Sequence, residues 1–425
     1  MKVLVVGGGG REHALAWRLA RDATVDRVVA APGNAGIARE ATCLPVAADD
    51  VRGIVRLVER ESIDLTVVGP EGPLVAGLVD ELEAAGHRVF GPTRQGARIE
   101  GSKAWTKELC ARYGIPAARS QAFTDLGEAM ASLDALEPPY VVKADGLAAG
   151  KGVVIAERRD EAVAALRAAL VDRVFGEAGA TVLLEEHLEG PEVSAFALTD
   201  GRTVLPLAMA QDFKRVGDGD TGPNTGGMGA YSPVPFVDGA DADRIRDEIL
   251  VRAVRAMASE GVRYRGVLYA GLMLTAEGPK LLEFNARFGD PETQAVIPRL
   301  RSDLGELLLA CVDGTLGDRR VAWSPEACVT VVLTSGGYPG EYRTGVPVDG
   351  LDDGSDRDGV AVFHAGTTER GGRVVTSGGR VLAVSALGRD LAEARARAYE
   401  RCRGISFEGM RYRGDIAQRV AEEGR

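Results

Sequence analysis

The sequence predicts a multidomain protein of mixed α/β and α+β class, and three observations support this. The chain has 425 residues, more than one ordinary hydrophobic core contains, so about three domains are expected. Short apolar strands alternate with helical patterns in the first part of the chain, which is typical of a parallel sheet wrapped by helices. The last part is mostly β with glycine-pair turns. We therefore place domains at 1–100, 101–325 and 326–425.

The first domain is predicted to be a parallel α/β sheet with a ligand site at one edge. Its candidate strands are 2–6, 27–31, 65–68 and 88–90, and its candidate helices are 11–21, 50–61 and 74–85. Ligands bind at the carboxyl ends of the strands in such sheets. The segments that follow three of these strands are rich in glycine, which lets the backbone approach a ligand closely. They are 7–10, 32–36 and 69–73.

The glycine run after the first strand suggests a dinucleotide-binding fingerprint, but its spacing argues against one. Glu12 or His13 stands where the third glycine of the motif should be, so close helix packing is not possible. The second strand also ends without an acidic residue for a ribose hydroxyl. A glycine loop at a helix N-terminus still suits an anion, so a phosphate-bearing small molecule fits better than NAD.

Composition and charge exclude several other classes. The net charge is −11 and the basic residues are scattered, which argues against a nucleic-acid surface. No apolar run is long enough to span a membrane, and the apolar N-terminal run is too short for a signal peptide. The five cysteines show no paired spacing, so we expect a cytoplasmic protein whose thiols are core residues rather than catalysts.

The middle of the chain contains a glycine-rich loop between two lysines. Strands are predicted at 140–143 and 153–156, so Lys143 and Lys151 stand at the two ends of the intervening loop. Lysines there supply positive charge to a phosphate that backbone amides cover. The loop is not a Walker motif, because the glycine spacing differs and no Ser or Thr follows Lys151. Further elements are predicted as a helix at 160–171 and strands at 182–185, 192–199, 203–210, 264–274 and 280–285.

The segment 281–292 carries the most informative pattern. Glu283 and Asn285 interrupt an apolar strand two positions apart, so their oxygens project from the same face. Two hard oxygen donors at this spacing suit Mg²⁺, which completes its shell with water and phosphate. Arg287 lies on the same face if the strand continues, where a guanidinium can clamp a transferring phosphoryl group. A solvated strand end is the alternative reading of the same residues.

Two other segments are weak alone. Residues 185–192 cross between subdomains and could read adenine with backbone groups and ribose with Glu192, although a plain acidic loop is the favoured reading in isolation. Residues 211–229, with the run Asn224 to Gly229, form a long glycine-rich loop that suits a small polar substrate. For the lone His364, a structural role and a site role are about equally expected.

These four segments, in order, resemble the ATP-grasp superfamily, and in detail its phosphoribosylamine–glycine ligase family. The resemblance extends from the first strand to the last hundred residues. It also includes the motifs at 7–13, 70–74, 101–103, 225–229 and 363–367. It implies an N-terminal pre-ATP-grasp domain, an ATP-grasp domain with a small mobile lid at about 119–190, and a mostly β C-terminal domain. One departure is the region Gly271 to Met273, since many members of the superfamily carry another metal carboxylate on the neighbouring strand, about twelve residues before the Glu-x-Asn pair.

The resemblance also implies roles for individual residues. Lys103, Lys143, Lys151, Glu185, Leu188 and Glu192 would bind ATP. Glu283 and Asn285 would hold Mg²⁺ or Mn²⁺. Arg287, Asp290 and Lys214 are the candidate catalytic residues. Substrates would be bound by Gly8, Gly9, Gly10, Asn34, Glu71, Thr225, Gly226 and Gly227.

The activity that the resemblance implies is ATP-dependent ligation of glycine to phosphoribosylamine in purine synthesis, through glycyl phosphate. The partners implied are these small molecules, with transient contacts to neighbouring purine-pathway enzymes. Two alternatives are another ATP-grasp reaction, such as carboxylation of a biotin-like acceptor, and a dehydrogenase or non-catalytic nucleotide-binding protein built on the first domain. Glycine-dependent ADP release distinguishes the first alternative, and the broken fingerprint disfavours the second.

Overall fold

The computed structural model describes residues 1–147, 152–351 and 359–423. The N-terminal part is a parallel sheet of five strands, ordered β3-β2-β1-β4-β5, with helices packed around it. The strands are β1 (Lys2–Gly7), β2 (Arg27–Pro32), β3 (Thr42–Cys43), β4 (Leu65–Val68) and β5 (Val89–Phe90). The helices are α1 (Gly10–Leu19), α2 (Ile37–Glu40), α3 (Val51–Glu61), α4 (Glu71–Ala76) and α5 (Leu78–Ala84).

The prediction of a single helix at 74–85 is wrong, because the structure has two helices there that are separated at Gly77. This residue has φ +89°, in the left-handed region that ends a helix and favours glycine. The strand ends agree with the prediction, so the three glycine-rich loops lie together at one edge of the sheet. Their contact is close: a side chain at Gly8 would place its Cβ 2.4 Å from the Gly33 carbonyl oxygen. Glycine is therefore required where the first two loops meet.

Two helices lead into a small α/β subdomain. They are α6 (Arg94–Gly101) and α7 (Lys103–Tyr113), and Ser102 caps the second by accepting a hydrogen bond from the Trp105 N–H. The subdomain has an antiparallel sheet ordered β6-β9-β7-β8 with its own hydrophobic core. Its elements are β6 (Ser120–Phe123), α8 (Leu126–Ser132), the 3₁₀ turn Leu133–Ala135, β7 (Tyr140–Ala144), β8 (Val153–Ala156), α9 (Arg159–Leu170), the 3₁₀ turn Gly176–Gly179 and β9 (Val182–Glu185).

A second antiparallel sheet, ordered β11-β10-β16-β17, supports the middle of the chain. Its strands are β10 (Glu192–Thr199), β11 (Val204–Pro206), β16 (Gly266–Thr275) and β17 (Gly278–Asn285). The strand predicted at 203–210 is thus shorter, with only an isolated bridge from Ala210 to Ser194 beyond it. One long helical segment covers this sheet, consisting of α10 (Gly239–Arg244), a π-helical stretch (Ile245–Val251) and α11 (Arg252–Ser259).

The C-terminal sheet is antiparallel, ordered β12-β15-β18-β22-β19, and takes two strands from the middle of the chain. These two strands are β12 (Gln211–Asp212) and β15 (Gly229–Ser232), on either side of the hairpin β13 (Arg215–Gly217) and β14 (Thr221–Asn224). The rest are β18 (Ala327–Thr334), β19 (Val360–His364) and β22 (Arg380–Gly388), with a separate hairpin β20 (Thr367–Arg370) and β21 (Arg373–Thr376). The late helical elements are α12 (Glu292–Val296), a 3₁₀ turn (Ile297–Arg299), α13 (Leu304–Asp313), a 3₁₀ turn (Leu316–Asp318), α14 (Leu391–Arg403) and α15 (Gln418–Glu423).

None of the helices in the described part of the chain is both long and apolar enough to cross a bilayer.

Candidate active site

A cleft of about 1390 Å³ lies where the N-terminal loops, the subdomain 120–185, the end of β17 and the C-terminal sheet meet. Thirteen of the residues predicted from the sequence line it. They are Glu71, Lys103, Lys143, Glu185, Leu188, Glu192, Lys214, Thr225, Gly226, Glu283, Asn285, Arg287 and Asp290. Gly8, Gly9, Gly10, Asn34 and Gly227 are not among its lining residues. Lys151 lies outside the described residues.

The end of β17 brings the predicted metal ligands together. Glu283 and Asn285 are two positions apart on this strand, and Glu283 lies opposite Gly271 of β16. Burial would raise the pKa of the Glu283 carboxyl, but Lys103, Lys143, Lys214 and Arg287 outweigh it and lower the pKa. The carboxylate is therefore ionised and lies in a strongly positive field.

The donor set fits a divalent cation that is held by few protein ligands. No described residue donates a hydrogen bond to the Glu283 carboxylate, although its surroundings hold it ionised. No group of three or more His, Cys, Asp or Glu residues in the described part of the chain could hold a metal. Glu283 and Asn285 thus offer two oxygens, which suits Mg²⁺ with nucleotide and water as its remaining ligands.

Arg287 reaches the same place by a route that the sequence did not predict. Arg287 was expected on the same face only if the strand continued, and the strand ends at Asn285. The Arg287 guanidinium nevertheless turns back and donates to the Asn285 Oδ1 at 3.1 Å. It also pairs with Glu100 at 2.8 Å and with Glu71 at 3.2 Å. Burial alone would lower the pKa of Arg287, but these two carboxylates raise it, so the guanidinium stays charged.

Glu185 neutralises two buried lysines. Its Oε2 atom lies 2.8 Å from Lys143 Nζ and 3.1 Å from Lys107 Nζ, and all three side chains are buried. Burial lowers the pKa of Lys107 despite this partner. Within the described chain the other oxygen, Glu185 Oε1, is buried and has no hydrogen-bond partner. An unpaired acceptor on a residue that lines the cleft fits a bound ligand that donates a hydrogen bond.

Lys103 lies at the start of α7, next to the loop that follows β7. Its Nζ atom donates to the Gly146 carbonyl oxygen at 3.3 Å. The Asp145 carboxylate accepts a hydrogen bond from the Ala104 N–H at 2.7 Å and so ties this loop to the helix N-terminus. The structure therefore fixes Lys103 beside the base of the glycine-rich loop.

Lys214 lies between two acidic side chains that also line the cleft. It pairs with Glu192 and, at 2.9 Å, with the buried Asp212. Burial raises the pKa of Asp212 to about 7; Lys214 opposes this rise, whereas Glu292 adds to it. Burial would lower the pKa of Lys214, but Asp212 and Glu192 reverse the effect and raise it well above its usual value.

The side chains of Tyr269, Glu292 and Ser194 form a hydrogen-bonded cluster that is buried near Asp212 and Lys214. The Tyr269 hydroxyl donates to Glu292 Oε1 at 2.6 Å and lies 2.9 Å from Ser194 Oγ. Burial raises the pKa of Tyr269 well above its usual value, and Glu292 raises it further. Tyr269 therefore stays protonated and acts as a donor that orients Glu292.

The loop 224–229 is held against the cleft through its own backbone. Thr225 Oγ1 donates to the Lys214 carbonyl oxygen at 2.8 Å and accepts from the Gly227 N–H at 2.9 Å. Asp290 accepts from Gln294 Nε2 at 2.7 Å and pairs with Arg380 at 2.8 Å. Thr225, Gly226 and Asp290 thus line one end of the cleft, and Gly227 packs behind them.

The N-terminal loops are tied together rather than open. Asn34 donates to the carbonyl oxygens of Gly8 and His364 at 2.8 and 2.7 Å and accepts from the Gly36 N–H. The Gly9 N–H donates to Glu12 Oε2 at 2.6 Å. In these contacts Asn34 fixes loop shape, while a direct substrate contact stays a prediction.

His364 is explained by packing. It is buried, its Nδ1 lies 3.0 Å from Thr367 Oγ1, and its backbone N–H donates to His13 Nδ1 at 2.7 Å. Burial lowers the pKa of His364 to about 3, so the ring is neutral. These contacts favour the structural role over the site role.

Sequence reasoning missed several residues that shape the cleft. Lys107 could have been predicted from the sequence, because it lies four residues after Lys103 on the same helix face. Glu100, Tyr269 and Arg380 could not have been, since their partners are far away in the sequence.

The fold and the cleft together define an ATP-grasp ligase. Three family models match in order: the phosphoribosylglycinamide synthetase N domain at residues 1–100, its ATP-grasp (A) domain at 101–293 and its C domain at 328–419. The chain belongs to the phosphoribosylglycinamide synthetase family. This confirms the predicted superfamily, family and fold class.

Comparison with individual proteins agrees with this family membership. The chain is 49% identical over 429 residues to a phosphoribosylamine–glycine ligase of Yersinia pestis, with 100% of both chains covered. It is 51% identical over 424 residues to the protein of the same name from Rhizobium meliloti (strain 1021), again with 100% of both covered.

Solved structures agree with the fold. A phosphoribosylamine–glycine ligase from Thermotoga maritima superposes with a TM-score of 0.85 at 34% identity, covering 98% of this chain and 100% of that one. A Campylobacter jejuni biotin carboxylase superposes with a TM-score of 0.75 at 13% identity, covering 96% of this chain and 92% of that one. The latter likeness concerns the fold alone.

Proposed function

We propose that this enzyme ligates glycine to 5-phosphoribosylamine with ATP, giving glycinamide ribonucleotide, ADP and phosphate in de novo purine synthesis. The observation that carries the proposal is the meeting of Glu283, Asn285, Lys143 and Arg287 with the N-terminal loop residue Glu71 around one cleft. The relatives at about half identity over the full length carry the name of this activity.

ATP is proposed to lie with its phosphates towards Lys103 and Lys143 and its adenine near Glu185 and Leu188. The cluster of basic side chains that lowers the pKa of Glu283, which includes Lys103 and Lys143, supports this because such a cluster suits a polyphosphate. Glu192 is assigned to the ribose. Lys151 is proposed to complete the phosphate site from the lid.

Glu283 and Asn285 are proposed to hold Mg²⁺ or Mn²⁺. When bound, the ion would neutralise phosphate charge and orient the terminal phosphoryl group. Arg287 is proposed to place its positively charged guanidinium against the same phosphoryl group. Its ion pairs with Glu71 and Glu100 hold it at the end of β17 before any substrate binds.

Two transfers account for the reaction. A glycine carboxylate oxygen attacks the γ-phosphorus of ATP. The bond between the γ-phosphorus and the β,γ-bridging oxygen breaks, and ADP leaves with that electron pair. The amine of phosphoribosylamine then attacks the glycyl carbonyl carbon, phosphate leaves, and the nitrogen loses a proton as the amide forms. The enzyme supplies positioning and charge stabilisation, and it must keep water from the acyl phosphate.

This chemistry needs no protein nucleophile, and the buried thiols are poorly suited to be one. Burial raises the pKa of Cys110, Cys328 and Cys402 to about 12. Such thiols stay protonated near neutral pH and behave as core residues, as their spacing suggested.

Substrate seating is proposed at the end of the cleft away from the adenine site. Thr225, Gly226, Gly227, Asp290 and Lys214 are assigned to glycine and its acyl phosphate. Gly8, Gly9, Gly10, Asn34 and Glu71 are assigned to phosphoribosylamine, whose phosphate would meet the N-terminus of α1. The proposal also includes the domain limits 1–100, 101–325 and 326–425 and a lid at about 119–190. It places the enzyme in the cytoplasm, with transient contacts to neighbouring purine-pathway enzymes.

An assay of ADP and phosphate release tests the activity. The enzyme is given ATP, glycine and freshly generated phosphoribosylamine, and each is omitted in turn. Full release should require all three, and one glycinamide ribonucleotide should form per ADP. Bicarbonate-dependent ADP release without glycine would support a carboxylase instead, and AMP as the product would contradict both reactions.

A further inference from the structure

Arg380, at the start of β22, connects the C-terminal sheet to two segments of the cleft. Its Nη2 atom pairs with Asp290 Oδ2 at 2.8 Å, and its Nη1 atom donates to the Asp290 carbonyl oxygen at 2.8 Å. Nη1 also donates to the carbonyl oxygens of Gly226 and, at 3.5 Å, Gly227. One guanidinium therefore holds the segment after β17 and the turn before β15 together.

Tyr338 completes the attachment of the turn. Its hydroxyl accepts a hydrogen bond from the Gly226 N–H at 3.0 Å, so both backbone groups of Gly226 are held from the C-terminal part of the chain. Gly379 lies against the Tyr338 ring, where a Cβ would lie 2.3 Å from Cδ2. Glycine beside Arg380 therefore lets the Tyr338 ring pack closely against the backbone that precedes β22.

The two segments held by Arg380 also touch each other. A Cβ on Gly227 would lie 2.3 Å from Pro291 Cδ, and Gly227 has φ +110°. Gln294 holds the second Asp290 oxygen through a 2.7 Å hydrogen bond. Asp290 therefore has both carboxylate oxygens and its carbonyl oxygen occupied by positioning contacts, so a small displacement of Arg380 would move it relative to the turn.

We propose that Arg380 is a positioning residue for the acceptor half of the reaction, fixing Asp290 and the turn 225–227, where glycine and its acyl phosphate are seated and phosphoribosylamine attacks. The inference rests on the proposed function. The bonds of Arg380 go to Asp290, Gly226 and Gly227, whereas the described residues assigned to ATP lie on α7, β7, β9, the segment after β9 and the start of β10. Loss of Arg380 should therefore affect the acceptor substrates and leave the affinity for ATP close to normal.

The geometry also distinguishes arginine from lysine. The planar fork of the Arg380 guanidinium reaches one carboxylate and three carbonyl oxygens at once, whereas an ammonium group is a single point charge. Arg380→Lys should keep the pairing with Asp290 and lose part of the hold on the turn.

The test measures kcat and KM for each substrate in Arg380→Ala, Arg380→Gln and Arg380→Lys. Arg373→Ala is the control, because it removes the same charge from an exposed hairpin of the same part of the chain, where Arg373 pairs with Asp349. We expect kcat/KM for glycine or phosphoribosylamine to fall roughly 10–100-fold in the alanine and glutamine variants. KM for ATP should stay within about twofold, and the lysine variant should be intermediate.

Two results would overturn the inference: near-normal constants in all three variants, or equal losses for ATP and the acceptor substrates that lysine does not reduce. The glutamine variant decides the matter if the alanine variant does not fold. A wild-type enzyme without glycine-dependent activity would refute the proposed function, whereas an active wild type with unaffected variants would refute only this role of Arg380.

Discussion

Lys143 Nζ lies 2.8 Å from Glu185 Oε2, and both side chains are almost wholly buried. Lys107 shares the same oxygen, so one carboxylate neutralises two ammonium groups inside the cleft wall. Removing one member of a buried ion pair leaves an uncompensated charge. Lys143, which is proposed to bind phosphate, therefore depends on Glu185 to stay charged and buried in the folded protein.

Glu185→Gln tests this dependence. The amide cannot neutralise Lys107 and Lys143, so we expect the free energy of unfolding to fall by about 3–5 kcal/mol. Glu186→Gln is the control, because Glu186 pairs with the largely exposed Arg119 and its loss should change stability far less. Urea unfolding measures both variants. Equal stability of the Glu185→Gln variant and the wild type would contradict the argument.

The raised pKa of Asp212 predicts a pH dependence of stability. Burial raises this pKa to about 7, far above the value of an unfolded aspartate. The folded state then holds a proton that the unfolded state has lost, so this contribution is complete below about pH 4 and is lost as pH rises through 7.

Asp212→Asn removes that titration. Between about pH 4 and pH 7 the wild type should lose stability relative to the variant, on the order of a few kcal/mol. Asp243→Asn, on the exposed surface of α10, is the control for the loss of an aspartate carboxylate. A difference between the wild type and Asp212→Asn that stays constant over this pH range would mean that Asp212 is ionised throughout it.

The positions of Glu283 and Asn285 show how much of the site local patterns can predict. They follow from the two-residue period of a strand, which is a local property. The main strands were placed within a few residues for the same reason. A lysine at the end of a buried strand needs a partner, but Glu185 as the partner of Lys143 depends on the pairing of β7 with β9.

Other parts of the site are set by contacts between distant residues. A strand face would have placed Arg287 only if the strand continued. The residue is instead held by Glu71 and Glu100, which precede it by almost two hundred positions or more. Arg380 bonds to Gly226, 154 positions away. The C-terminal sheet takes β12 and β15 from the middle of the chain, which no local pattern indicates.

Arg287→Ala should reduce turnover by roughly 10²–10³, by analogy with the loss of one transition-state donor. The variant should also lose some stability, because Glu100 is buried beside Arg287 and would be left without this partner. Arg287→Ala with Glu100→Gln should recover stability without recovering turnover. Near-normal turnover in the single variant would contradict the role of Arg287.

Glu283→Gln should weaken metal binding in the cleft. With one charged oxygen removed, the Mg²⁺ concentration that gives half-maximal activity should rise by about 10-fold or more. Glu277→Gln, which changes an exposed residue beside the same strand, is the control. A metal titration at saturating ATP measures both variants. An unchanged half-maximal concentration for the Glu283→Gln variant would place the metal elsewhere.

The most direct measurement follows one oxygen atom of glycine. Glycine labelled with ¹⁸O in its carboxylate is turned over with ATP and phosphoribosylamine, and the released phosphate is examined by mass spectrometry. Formation of glycyl phosphate predicts one labelled oxygen in each phosphate. Phosphate that carries no label would contradict the account.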